Sequence, residues 1–257
     1  NDIKPNSISP TLESNPLKIL IAGCGTGMQI LEAQKYRNAQ ITAIDISCSS
    51  LSFAQRKINE IGIKNVNLFQ MDILEVALLK EQFDIIECCG VLHHMADPQQ
   101  GLKALLDIFN PNGFMKLSLY SELSRQTVIK AREYIKAKNI NPDIDSIRNF
   151  RKDIFSGRCP ELHSLTCADF DFYNTSNFRD LCFHYQEHRF TFNELEDILL
   201  SNKLNFLGFY FPQHIKSLYR QYFPKDKMQV NLKNWGEIER KHPGIFGCTP
   251  PFWVSKS

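Results

Sequence analysis

The chain has 257 residues, 43% hydrophobic and 23% charged, which is an ordinary globular composition with enough apolar residues for a sizeable core. Its net charge of +2 excludes a strongly basic nucleic-acid wrapper or an acidic tail protein, so no nucleic-acid partner is expected. No stretch approaches the roughly 18 uninterrupted apolar residues of a membrane span.

Residues 1–16 carry Pro, Ser and Asn without apolar periodicity and read as a linker or leader. The chain begins at Asn1 without an initiator Met or a secretion signal, and so reads as part of a longer cytoplasmic protein. Leu17–Ala22 is an apolar run broken by Lys18, the pattern of a parallel strand buried on both faces. The segment Gly23-Cys24-Gly25-Thr26-Gly27 follows, then a helical pattern to about Tyr36, then a second strand over Ile41–Ile46. Leu51, Ala54, Ile58 and Ile61 recur at helical spacing, with Ser49 or Ser50 as cap and Gly62 as stop. Val66–Phe69 and Phe83–Cys88 are expected to be strands three and four. Asp97-Pro98 opens a helix whose Leu102, Leu105, Leu106 and Phe109 share one face. Pro111-Asn112-Gly113 is read as a turn into a fifth strand, Phe114–Tyr120.

Strand and helix alternate to this point, which implies an α/β parallel sheet. After a helix around Ser124–Ala137, no buried-strand pattern returns until about residue 190. This stretch, 121–190, is expected to be a helical insertion. Its aromatic residues Phe170, Phe172, Tyr173, Phe178, Phe183 and Tyr185 suit a cover over the ligand edge. A helix over Thr191–Leu200, a strand over Phe206–Phe211 and the apolar run Phe252–Val254 return to sheet-building. The eight cysteines form no C-x-x-C pair and read as reduced, buried thiols.

A strand that enters a tight glycine turn and leaves as a helix presents backbone N–H groups and permits close ligand approach. Dinucleotide sites need G-x-G-x-x-G, and here Met28 stands at the last glycine of that pattern. No Gly-Lys-Ser/Thr follows, so a phosphate-binding P-loop is excluded too. Asp45, at the end of the second strand, is placed to accept hydrogen bonds from a ribose diol; a helix cap is the alternative.

The runs ILIAGCGTGMQ, AIDIS, Met71-Asp72-Ile73, FDIIECCGVLHHMADP and FNPNGFMKLSLYS resemble the ordered motifs of class I, Rossmann-like S-adenosylmethionine-dependent methyltransferases. The match covers residues 17–122. It implies a doubly wound, seven-stranded, mostly parallel sheet over 17–257 with a helical lid after strand five, and S-adenosylmethionine as cofactor. It puts Gly23, Cys24, Gly25, Thr26 and Gly27 beside the methionine moiety and ribose, and Asp45 on the ribose hydroxyls. Ile46 would pack on adenine, Asp72 and Ile73 would hold the adenine amino edge, and Cys89 and Gly90 would line the sulfonium region. One departure stands out: Ile21 occupies the position, two before the first glycine, where many members carry an acid. The wording of these motifs, with the later RDLCFHYQEHRFT, also resembles methyltransferase domains that follow tetratricopeptide repeats in bacterial proteins. That likeness implies an upstream protein-binding module.

Methyl transfer needs alignment, exclusion of water and, for an amine or hydroxyl acceptor, a group that takes a proton. The candidates are His93, His94, Tyr120, Tyr173, Glu187 and His188, with His93, Tyr120 and Tyr173 preferred as catalytic or acceptor-contacting residues. His93 could equally be a loop histidine that fixes the backbone. His184 and His188, four apart, would share a helix face, but no third well-spaced ligand joins them and no metal is expected. With Arg179, Glu187 and Arg189 they are expected to form a polar network that anchors the lid, contact with substrate being the alternative. The expected acceptor is a protein side chain or peptide; the alternatives are a small metabolite, or a catalytically silent domain that binds the cofactor or a partner. The basic segment 201–257 is read as a solvated face or an attractant for an acidic partner.

Overall fold

The computed structural model describes residues 16–167, 169–247 and 250–257; the expected leader therefore lies outside the described residues apart from Pro16. Cys248 and the side chain of Phe170 also lie outside them.

The elements in chain order are β1 (Leu17–Ala22), α1 (Met28–Ala33), β2 (Ala39–Asp45), α2 (Cys48–Ile61), β3 (Val66–Gln70), β4 (Phe83–Cys89), α3 (Pro98–Asp107) and β5 (Phe109–Ser118). The insertion carries α4 (Gln126–Ala137), α5 (Ile144–Phe155), α6 (Asp169–Tyr173) and α7 (Thr175–Phe183). Then come α8 (Phe192–Ser201), β6 (Leu204–Phe209), α9 (Gln213–Tyr222), α10 (Leu232–Lys241) and β7 (Pro251–Lys256). Seven strands form one sheet in the order β3-β2-β1-β4-β5-β7-β6. The pairs from β3 to β5 are parallel, and β7 runs antiparallel to both neighbours. The chain winds outward from β1 to β3, then crosses back to β4, so the switch point lies between β1 and β4, where such sheets bind ligands at their carboxyl ends.

Alternation within the strands divides the interior into two layers. Leu20, Ala22, Ile86, Met115 and Leu117 point into a core shared with α3, α8 and α10. Ile19, Ile21, Ile41 and Ile85 point into one covered by α1 and α2. Each fully buried Leu, Ile or Phe contributes roughly 1.5–3 kcal/mol from area removed from water. The caps fix where the helices begin: Asp97 accepts from the amides of Gln99 and Gln100 with Pro98 at the first helical position, and Thr191 and Glu194 form a reciprocal capping box.

The structure corrects several sequence expectations. Ser47, rather than Ser49 or Ser50, caps α2 by accepting from Ser50 N. Phe109 belongs to β5 rather than to the face of α3, and Pro111-Asn112-Gly113 lies within that strand, across a register shift opposite Phe83 and Ile85. α7 ends at Phe183, so His184 and His188 do not share a helix face. Between β6 and β7 the chain forms two helices, α9 and α10, that the sequence reading did not assign. Among the described cysteines all are free, but Cys48 and Cys167 are exposed rather than buried.

The insertion has its own core, in which Val128, Phe150, Phe172, Phe178 and Leu181 are buried. Phe172 and Phe178 thus fill the insertion rather than cover the ligand edge. Its two stems are stitched together: Phe190 N donates to Tyr120 O at 2.8 Å, and Glu122 N donates to Phe190 O at 3.0 Å. Buried Glu239 on α10 accepts from the hydroxyls of Ser121 and Ser124, which ties the stems to the main sheet's helices.

Candidate active site

The glycine loop leaves β1 at the switch point and folds back on itself. The amides of Gly23 and Cys24 donate to Ile44 O, at 2.8 and 2.9 Å, and Gly27 N donates to Cys24 O at 2.9 Å. Gly25 N donates to Asp45 Oδ2 at 2.7 Å. With these amides engaged inside the protein, the loop is poorly suited to cradling a diphosphate, which needs free N–H donors. It suits a ligand held by close fit. Gly23 cannot carry a side chain, since a Cβ would come 2.3 Å from Val91 Cγ2, whereas a Cβ on Gly25 would meet open space, leaving room for a ligand against the backbone.

Asp45 is held by two main-chain donors, Gly25 N on one oxygen and Ser47 N on the other at 2.8 Å. Each carboxylate oxygen keeps a further lone pair, so a ribose diol can still be accepted. Ile46 beside it is 68% exposed and Met28 66%, two large apolar side chains left open at the rim of the loop, where a ligand's ring system can cover them. Asp72 caps a short 3-10 helix, Ile73–Leu79, by accepting from Leu74 N at 2.9 Å, and Ile73 itself is buried in the core. The side chain of Ile73 therefore forms no wall of the cleft. Leu74, next along the chain, is half-exposed.

On the other side of β1, Cys89 ends β4 and Gly90 follows it. The Cys89 carbonyl accepts from Gln29 Nε2 at 3.2 Å, which joins the first turn of α1 to the end of that strand. Burial pushes the Cys89 and Cys24 thiols up to about 12, which removes both as nucleophiles near neutral pH. Beneath lies a polar cluster in which Tyr36 Oη donates to Glu87 Oε1 at 2.7 Å and Lys116 Nζ donates to Glu87 Oε2 at 3.4 Å.

The loop after β4 carries His93 and His94. His93 is fully buried, its ring stacked on Tyr120 at 3.6 Å between centroids, and neither ring nitrogen has a hydrogen-bond partner of normal geometry. Burial drives its pKa down to about 2, helped by the charges of His94 and Arg125 and opposed by the Ser118 main chain. It is a neutral packing element against Tyr120. His94 is differently placed: its Nδ1 lies 3.0 Å from Gln186 O and its Nε2 lies 3.3 Å from Tyr120 Oη. A carbonyl can only accept, so Nδ1 carries the proton and Nε2 is free to accept from the tyrosine hydroxyl. Burial lowers the His94 pKa as well.

The other face of Tyr120 is covered by the Arg125 guanidinium, 3.7 Å from the ring centroid. Arg125 is itself paired with Glu187, whose side chain is 1% exposed and which also accepts from Arg132 at 3.1 Å and Arg189 at 3.4 Å. Arg189 in turn donates to Glu122 at 2.8 Å. Of the residues expected to form a polar network here, Glu187 and Arg189 belong to it and His184 enters through its carbonyl, which accepts from Arg132 at 2.7 Å, whereas Arg179 is exposed. The return segment 184–190 then lies over the loop after β4: His188 N donates to His93 O at 2.7 Å, Gln186 Nε2 donates to Met95 O at 3.2 Å, and the His184 ring packs tilted on His94 with centroids 3.7 Å apart.

The structure thus brings Gly23–Gly27, Asp45, Ile46, Cys89 and Gly90 to one edge, and joins Tyr120 to His93 and His94. Tyr173 is apart: it is 59% exposed, its ring packs on Phe172 and its carbonyl accepts from Arg151 at 2.9 Å, all within the insertion. Gln29, Arg125 and Arg132 were missed as site residues. The Q in AGCGTGMQ was the available signal for Gln29; nothing in the local pattern marks the two arginines. Among the described residues no group of His, Cys, Asp and Glu could hold a metal ion.

Residues 13–175 match a family described as methyltransferase domain. An uncharacterized protein of Synechococcus sp., syc1184_c, is 33% identical over 202 residues, 75% of this chain and 48% of that protein. A ubiquinone biosynthesis O-methyltransferase of Stutzerimonas stutzeri is 31% identical over 114 residues, 44% of this chain and 48% of the enzyme. The chain spans about half the length of the curated relatives it matches. In fold it is similar to PKMT2 from Rickettsia typhi in complex with AdoHcy, with a TM-score of 0.70 and 18% identity over 94% of this chain and 49% of that one. A glycine loop that spares room at Gly25, a carboxylate on the second strand and the seven-stranded topology agree with the family match: the chain belongs to the methyltransferase domain family, with the class I fold and S-adenosylmethionine as its cofactor.

Proposed function

We propose that this domain methylates a nitrogen or oxygen acceptor on a protein side chain or peptide, in the cytoplasm, as part of a longer chain with an upstream tetratricopeptide-repeat module. The observation that carries the catalytic reading is the Tyr120–His94 pair at the carboxyl edge of the sheet, with the tautomer of His94 fixed by Gln186 O. Gly23–Gly27, Asp45, Ile46, Asp72, Cys89 and Gly90 hold the cofactor, the Ile73 contact being through its main chain. When bound, S-adenosylmethionine supplies an electrophilic methyl on a sulfonium, and its capture by an N–H or O–H acceptor releases one proton. Tyr120 Oη takes that proton as its own passes to His94 Nε2, and Arg125 over the ring favours any negative charge that builds on the phenol. His93 backs the ring of Tyr120, and Tyr173 offers an exposed aromatic face on the insertion to the polypeptide carrying the acceptor.

Support for a polypeptide acceptor comes from the resemblance to repeat-linked domains and from the insertion, whose exposed Tyr173 and Tyr185 face solvent rather than its core. A small-metabolite acceptor is the second reading, favoured by the O-methyltransferase relatives. Incubation with methyl-tritiated S-adenosylmethionine, a bacterial protein extract and, separately, its small-molecule fraction distinguishes the two. Label in acid-precipitable protein is the expected result, and its stability to mild base separates N-methyl groups from methyl esters. Label confined to the small-molecule fraction, or cofactor binding with no transfer at all, would reject the protein-side-chain reading.

A further inference from the structure

Among the described residues, buried side-chain polar atoms without a hydrogen-bond partner occur in two side chains, the His93 ring and Gln29 Oε1. Gln29 lies two residues beyond the glycine loop. Its orientation is settled by chemistry, because the Cys89 carbonyl can only accept and so must face the Gln29 amide nitrogen. The amide oxygen is left as an acceptor out of water with no donor, an unfavourable arrangement unless a ligand supplies one.

The strand order says which part of the ligand would do so. Asp45 ends β2, and β1 separates β2 from β4. A nucleoside seated on Asp45 with its sulfur-linked chain running across the glycine loop therefore ends at β4, beside Cys89 and Gln29. That end of S-adenosylmethionine is an amino acid, and its ammonium brings three N–H donors that need acceptors. The acid that many class I members place two residues before the first glycine is Ile21 here, fully buried and apolar. Its direct partner on β4 is Glu87, but that carboxylate is fully buried and taken up by Tyr36 and Lys116. The neighbouring carboxylate is thus committed to the sheet's interior, and Gln29 Oε1 is a buried side-chain acceptor without a donor at this end of the cleft, whereas Glu32, one turn further along α1, is half-exposed and 3.9 Å from Lys116 Nζ.

We propose that Gln29 Oε1 accepts a hydrogen bond from the α-ammonium of S-adenosylmethionine, in place of the acid absent at position 21. The proposal rests on the assignment of S-adenosylmethionine as cofactor. It makes Gln29 a reader of the amino-acid end of the ligand, with no role toward the nucleoside.

Calorimetry on the 257-residue chain with two probes tests it: S-adenosylhomocysteine, which has the ammonium, and 5′-methylthioadenosine, which lacks the amino acid. Gln29→Leu should weaken S-adenosylhomocysteine at least ~10-fold, the usual effect of losing a hydrogen bond to a charged group, and leave 5′-methylthioadenosine within about twofold. Gln29→Glu restores an acceptor and should recover most of the S-adenosylhomocysteine affinity. Loss of both probes in Gln29→Leu to the same degree, no loss of S-adenosylhomocysteine, or failure of Gln29→Glu to recover it while still binding 5′-methylthioadenosine, each overturns the proposal. Failure of the unaltered chain to bind either probe would instead remove the cofactor assignment beneath it.

Discussion

The proposed site gives Asp45 two jobs with one carboxylate, since the oxygens that would receive a ribose diol also hold Gly25 N and Ser47 N. Asp45→Ala should therefore weaken S-adenosylhomocysteine binding by about 1.5–3 kcal/mol by calorimetry, with part of that loss arising from a loosened loop. Asp45→Asn, which keeps an acceptor oxygen, should lose less, and equal affinity in all three proteins would remove Asp45 from the site. His94 gives a prediction in pH. Its pKa is lowered from 6.5 by burial, against the opposing pull of Gln186 O, so the ring is neutral through the neutral range and gains its proton only at lower pH. A protonated His94 cannot accept from Tyr120, so turnover should fall as pH drops through that depressed value. His94→Phe should cut turnover by about 10²-fold and erase this acidic limb. An unchanged pH profile in the variant would show that the proton leaves by another route.

Elements differ in how plainly the sequence announces them, and the reasons are physical. β1, β2 and β4 are buried on both faces and so appear as apolar runs, and the loop after β1 is legible because only glycines fit its positive φ angles and its approach to Val91. β5 is harder. Pro111-Asn112-Gly113 carries the composition of a turn, but pairing with β4 on both sides of an irregularity keeps it in the strand. α9 and α10 bury Ile215 and Tyr219, and Leu232, Trp235 and Ile238, on narrow stripes among lysines and arginines, so their helical period is diluted by charge. Of the candidate site, the residues expected at the cofactor come in short runs and so are legible as motifs. The Arg125–Glu187 cluster joins residues 62 apart, which no short pattern can show. The Gly23 contact yields a test at this scale. Gly23→Ala places a methyl 2.3 Å from Val91 Cγ2 and in a left-handed conformation, and should destabilise the domain by about 2–4 kcal/mol in urea unfolding. Adding Val91→Ala should return the steric part but leave about 1 kcal/mol of backbone strain. Purely additive losses in the double variant would mean that the two residues do not meet.

At the scale of the molecule, the insertion is a second core, fastened to the first by its paired stems and by Glu239, and braced within itself by another buried carboxylate. Glu187 sits between Arg125, Arg132 and Arg189, and its side chain is almost wholly excluded from water. Burial alone would raise its pKa, but the hydrogen bond and charge of Arg125, with Arg132 behind, hold it below its ordinary 4.5. The sign of the pH effect follows. The ionised carboxylate stabilises the folded state in full above its unfolded pKa, and this contribution is lost as pH falls through the depressed folded value. Glu187→Gln removes the charge at all pH values and leaves Arg125 buried without its counter-ion, a change that costs about 3 kcal/mol in comparable buried pairs. Because Arg125 also covers Tyr120, the variant should lose turnover as well as stability. The loss should be local. The sheet keeps its two hydrophobic layers, and the stems keep the main-chain bonds between Tyr120, Glu122 and Phe190. Hydrogen exchange should therefore show faster exchange across 121–190 in Glu187→Gln, with β1, β2 and β4 as protected as before and S-adenosylhomocysteine affinity nearly intact. The unaltered protein should approach the same pattern as pH falls through the depressed value of Glu187. Uniform loss of protection through the sheet would show instead that insertion and sheet unfold as one unit.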